Sequence, residues 1–120
     1  MLKTKKDKMT IKPVNIVYQP NTIGLETVAD GEAWDYVTNL CDRAKKYKEN
    51  GYGIILDIIT SQELVVIYFR VAIKKGLLPY EDVEFQFKKW KLTPDKNGTL
   101  DNFPPGFCNY IERACLDLLR

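Results

Sequence analysis

The chain has 120 residues, 45% hydrophobic and 28% charged, with a net charge of +2 and no histidine. That is enough for one domain with one core, and the composition excludes a wholly disordered chain. The lack of histidine excludes Ser-His-Asp and Cys-His nucleophile systems, and Cys41, Cys108 and Cys115, without Cys-x-x-Cys spacing, indicate neither a zinc site nor a disulfide framework.

Residues 1–12 hold five lysines against Asp7, a +4 tail that leaves −2 on residues 13–120, where a single α/β domain is expected. The tail reads as a flexible, solvated terminus that can touch nucleic acid by nonspecific electrostatics. No apolar stretch follows its lysines and no run is long enough to span a bilayer, so no secretory signal, no membrane and a cytoplasmic location are expected.

Val14-Asn15-Ile16-Val17-Tyr18 is a β-branched run stopped by Gln19-Pro20-Asn21, which predicts a strand entering a turn. Residues 21–31, with Gly24 and Gly31, predict a loop with a short helical turn. From Glu32 to about Glu49, Trp34, Val37, Leu40, Cys41, Ala44 and Tyr47 recur at helical spacing, and Asn50-Gly51 supplies the stop. Tyr52 to Ile59 is almost continuously apolar and predicts a central parallel strand covered on both faces, with Asp57 either a metal ligand or a paired structural acid.

Thr60 or Ser61 is expected to cap a helix over about 62–75, apolar around much of its circumference through Ile67, Tyr68 and Phe69, which suggests a sandwiched position and a protein contact. Asp82 to Phe87 alternates strictly and continues through Trp90 and Leu92, predicting a third strand, with Asp95-Lys96-Asn97-Gly98 as the turn. Asp95, Asn97, Thr99 and Asp101 alternate like a calcium loop, but the closing glutamate of an EF-hand is missing. Lys88, Lys89 and Lys91 around Trp90 have the basic and aromatic composition that binds single-stranded nucleic acid, and equally that of a protected edge strand. Phe103-Pro104-Pro105-Gly106 is a rigid connector delivering Phe107 as a buried anchor, before a last helix with Cys108, Ile111 and Cys115 on one face. The sum is a small layered α/β sheet, mostly parallel with a C-terminal hairpin-like edge, and three main helices.

The run Thr60-Ser61-Gln62-Glu63, leading through Arg70-Val71-Ala72-Ile73-Lys74 to Phe85, resembles the C-terminal half of bacterial RecF/OLD-like AAA ATPases, where Glu-Thr-His-Ser-Glu-His precedes a helix reading Ile-Arg-Val-Ala-Val-Lys. Asn97-Gly98 followed by Phe103-Pro104-Pro105-Gly106-Phe107 is similar to that family's closing segment, an Asn-Gly or Asp-Gly turn before Trp-Pro-x-Gly-Phe-Phe. The resemblance implies that an acid before a proline would hold Mg2+, a neighbouring glutamate would polarise water and a histidine would sense the γ-phosphate. At those positions Tyr18-Gln19-Pro20-Asn21 lacks both acids, and Ile59-Thr60-Ser61-Gln62-Glu63-Leu64 keeps only the threonine and the second acid.

No phosphate-loop sequence occurs either. The expectation is therefore a noncatalytic interaction or regulatory protein from a bacterial defence or mobile-element system, with no catalytic residues, cofactor or metal. A protein partner or homo-oligomer is expected through Ile67, Tyr68 and Phe69. The alternative is a nucleic-acid-binding module using the lysine tail with Lys88, Lys89, Trp90 and Lys91. An enzyme half-site completed by another chain, with Asp57 or Glu63 as its carboxylate, ranks third.

Overall fold

The computed structural model describes residues 12–51, 56–105 and 107. Strand β1 (Val14–Tyr18) leads through a loop and a 3-10 turn (Asp30–Glu32) into helix α1 (Ala33–Glu49). Strand β2 (Leu56–Thr60), helix α2 (Glu63–Lys74), a second 3-10 turn (Tyr80–Asp82) and strands β3 (Val83–Phe87) and β4 (Trp90–Leu92) follow. The sheet is mixed, in the order β2-β1-β3-β4, with β1 parallel to both neighbours and β4 antiparallel to β3. The expected helix after Phe107 lies outside the described residues, as do Tyr52 to Ile55.

Register gives the sheet one apolar face. Val14, Ile16 and Tyr18 stand beside Val83, Phe85 and Phe87 on one side and Leu56, Ile58 and Thr60 on the other. Because side chains alternate along a strand, this alignment collects one large apolar surface. Helices α1 and α2 pack on each other and on that surface, with Val37, Leu40, Cys41 and Ala44 from α1 and Val65, Val66, Phe69 and Ala72 from α2 in the same core. The other face carries half-buried Asn15, Val17, Glu84 and Gln86 and exposed Asp57, Ile59 and Lys91. Packing between the sheet and α1 accounts for the apolar circumference of α2, where Tyr68 meets Trp34 edge-on at 5.4 Å.

Three expectations are corrected. Among the described strands β2, expected at the centre, is at the edge, and its Asp57 and Ile59 are exposed; the short run Val14–Tyr18 is the central strand instead. A continuous apolar run says that a strand is apolar, not how many neighbours it has. The strand Val83–Phe87 does not continue through Trp90: the chain reverses at Lys88, which takes a left-handed conformation (φ 55°), and Phe87 pairs with Trp90. At the start of α2, neither Thr60 nor Ser61 occupies the cap; Gln62 does, through its carbonyl, which accepts from the Val65 and Val66 amides.

The turn at residues 95–98 is also present. The Asp95 carboxylate accepts from the amides of Asn97 and Thr99, so the alternating acids belong to a turn in which this carboxylate serves the backbone. Gly98 has φ 76° and lies against the Arg70 carbonyl so closely that a Cβ has no room, while its own carbonyl accepts from Arg70 Nε at 2.8 Å.

Beyond that turn the Phe103-Pro104-Pro105 connector brings Phe107 to zero exposure. Its ring meets Tyr18 at 5.7 Å and Phe87 at 5.4 Å, capping the carboxyl ends of β1 and β3. Phe107→Ala removes a fully buried ring from a site walled by two aromatic side chains and is expected to cost about 3 to 5 kcal/mol, read from the shift in a denaturation midpoint.

Cys41 is buried on the core side of α1, and its thiol is pushed up to about 11, by burial first and by Asp42 second. The folded value lies above the unfolded one, so the unfolded chain loses this proton first. Stability is complete below about pH 9 and declines as pH rises through about 11. The expected loss is about 2 kcal/mol, and Cys41→Ala should flatten that alkaline slope in pH-resolved denaturation.

Candidate functional site

In parallel α/β sheets the crevice beyond the carboxyl ends of the strands is where ligands bind. Here that end sets the turn Gln19-Pro20-Asn21 beside Thr60 and the start of α2. Tyr18 is in register with Thr60, and the Gln19 amide donates to the Thr60 carbonyl at 2.8 Å. The sequence separates these segments by some forty residues; parallel pairing of β1 with β2 makes them neighbours.

The polar groups of this corner serve the fold. Thr60 is buried, and its hydroxyl accepts from the Gln62 amide at 3.0 Å. The Gln62 side chain clamps the loop before α1, its Oε1 accepting from the Val28 amide at 2.8 Å and its Nε2 donating to the Val28 carbonyl at 2.7 Å. Gln19 accepts from the Thr22 hydroxyl at 3.1 Å. Beside them lies a shallow crevice of about 330 Å³ between the ends of β1 and β3, walled by Gln19, Pro20, Thr22, Gln86 and Lys88. Its one charged wall residue among those described is Lys88, whose ammonium sits 5.3 Å from the centre of the Phe87 ring.

The sequence-predicted residues divide by environment. Ile67 and Phe69 are buried within the chain's own core and Tyr68 is half-buried against Trp34, so this trio presents little surface to another molecule. Lys88, Lys89, Trp90 and Lys91 are all exposed on the β3–β4 hairpin, Trp90 at 40%. Phe103 is partly exposed beneath the Arg70 guanidinium at 5.1 Å, Pro104 and Phe107 are buried, and Gly106 lies outside the described residues. Asp57 stands exposed on the open face of an edge strand, which corrects its reading as an acid enclosed in an apolar strand. Of the lysine tail only Lys12 is described, donating to the Glu81 carbonyl at 2.9 Å.

Two features escape sequence reasoning. Lys48 and Asp82 form an ion pair at 2.6 Å beside a cleft of about 230 Å³ floored by Val14, Cys41, Ala44 and Leu78. Gln62 is the other, since a lone glutamine carries no sign that its amide will meet a main chain 34 residues away. Gln62→Ala breaks both bonds and strands two polar main-chain groups, with an expected loss of about 1 to 3 kcal/mol in chemical denaturation. Gln62→Glu should be no better, because its carboxylate cannot donate to the Val28 carbonyl.

No protein-family model, curated protein or solved structure matches this chain.

Proposed function

We propose that this chain is a noncatalytic interaction or regulatory protein that resembles the C-terminal part of a RecF/OLD-like ATPase and acts in a bacterial defence or mobile-element system. The observation that carries the reading is the corner at the ends of β1 and β2. The two segments aligned with the family's catalytic motifs are adjacent there, yet they present Gln19, Asn21, Ser61 and Gln62 in place of the first acids and histidines, and of the family's acids keep only Glu63. Phosphoryl transfer depends on acids that hold Mg2+ and on groups that stabilise the γ-phosphate charge. Neutral side chains at the positions of the missing acids and histidines, with Gln62 bonded to the Val28 main chain, provide neither.

A second reading rests on the hairpin. Three exposed lysines surround a partly exposed tryptophan, a surface on which a base can stack while ammonium groups meet phosphates. Phe87 takes no part in stacking, since it is buried.

Titration of the purified chain with Mg-ATP in a calorimeter is expected to give no saturable heat at micromolar nucleotide. A saturable signal that disappears on chelating magnesium would overturn the noncatalytic reading. Tryptophan quenching by a single-stranded oligonucleotide, weakening steeply with salt and absent in Trp90→Ala, would select the second reading over the first.

A further inference from the structure

The two edges of the sheet are not alike. Strand β4 has three residues, is flanked by Lys89 and carries Lys91, and runs into Pro94, where a bridge to Leu100 and bonds between Thr93 and Asp101 tie the chain down. Short length, lysines and proline are the usual means of closing an edge. Strand β2 is longer and carries neither lysine nor proline; its one charged residue is the exposed Asp57.

Its hydrogen-bonding direction follows from two bonds. The Leu56 amide donates to the Pro13 carbonyl at 3.0 Å, and the Thr60 carbonyl accepts from Gln19 at 2.8 Å. In a parallel pair the residues that bond to the neighbour alternate, so Leu56, Ile58 and Thr60 face β1. The N–H and C=O groups of Asp57 and Ile59 therefore point away from the sheet, without a hydrogen-bond partner among the described residues. On the same edge the Ile59 side chain is 49% exposed.

An outward pattern at residues 57 and 59 admits three antiparallel two-fold registers with a second copy. Asp57 facing the partner's Asp57 opposes two carboxylates at close range, which is destabilising. Asp57 facing the partner's Ile59 sets each carboxylate against an aliphatic side chain. Ile59 facing the partner's Ile59 joins the two exposed apolar groups on the axis, separates the carboxylates, and brings each Asp57 opposite the partner's Ser61, whose hydroxyl can donate to it. The last register satisfies the most groups.

We propose that the chain pairs with a second copy of itself, antiparallel along β2, about a two-fold axis at Ile59, so that two four-stranded sheets become one. This names the partner within the interaction reading above and rests on it. Ile59 then exchanges both main-chain bonds with the partner's Ile59. So narrow a contact buries less than a permanent dimer needs, and the pairing is concentration-dependent.

Light scattering across a dilution series tests it. The mass should rise with concentration from 13.9 kDa toward twice that value. Ile59→Pro removes an outward N–H that β1 does not use, and should leave a folded monomer at every concentration. Ile59→Lys retains the N–H but opposes two ammonium groups on the axis, and should also be monomeric, which covers the case in which the proline variant fails to fold. Under oxidised glutathione, Ile59→Cys should yield a covalent dimer joined through the introduced thiols, as peptide mapping against the native cysteines reads out, because directly opposed residues stand about 5.5 Å apart at Cα, within disulfide reach. Asp57→Cys should not cross-link. A native chain that stays monomeric, a dimer that survives folded Ile59→Pro or Ile59→Lys, or cross-linking through Asp57→Cys in place of Ile59→Cys would overturn the proposal. None of these outcomes touches the nucleotide titration, so failure of self-pairing is distinguishable from failure of the noncatalytic reading.

Discussion

The structure depends on the parallel pairing of β1 with two neighbours at once. Val14, Ile16 and Tyr18 are aligned with Val83, Phe85 and Phe87 in β3 and with Leu56, Ile58 and Thr60 in β2. A slip of one residue in either pairing would send half of this surface to the opposite face. Because the register holds, α1 and α2 have a common apolar floor, and the carboxyl ends of three strands meet at one corner. Among the described strands the same pairing leaves β2 with one neighbour.

At that corner, local groups do structural work that would otherwise require a ligand or water. Thr60 receives the amide that starts α2, and Gln62 holds the loop before α1 through two bonds to Val28. Buried polar groups left without partners are costly, so bonds of this kind also limit which chemistry the corner can host. The crevice beside it is walled by Val17, Tyr18, Pro20 and Phe87 together with Gln19, Asn21, Thr22 and Gln86, with Lys88 its one described charge.

The segment after β4 is fastened to α2 by a separate device. Gly98 approaches the Arg70 main chain and accepts from its guanidinium, and the same guanidinium lies over Phe103. Phe107 follows into the aromatic cluster with Tyr18 and Phe87. One arginine thus links the turn, the proline connector and the buried ring, and the glycine is required because its left-handed backbone and its contact with Arg70 both exclude a Cβ.

What the sequence by itself determined is local. The strand Val14–Tyr18, the helices at 33–49 and 63–74, the alternation of Val83, Phe85 and Phe87 and the turn at 95–98 were all legible, because period and turn chemistry are properties of neighbouring residues. What only the tertiary structure decided is which strand has two partners. The run ending at Ile59 is more apolar than β1, yet it is the edge, since strand order depends on pairings across forty or more residues that no local pattern encodes. The turn at Lys88 was hidden because a lysine there adopts a conformation expected of glycine or asparagine. The adjacency of Gln19 with Thr60 and the clamp of Gln62 on Val28 were invisible for the same reason as the strand order: hydrogen bonds between distant segments exist only once the sheet has set those segments side by side.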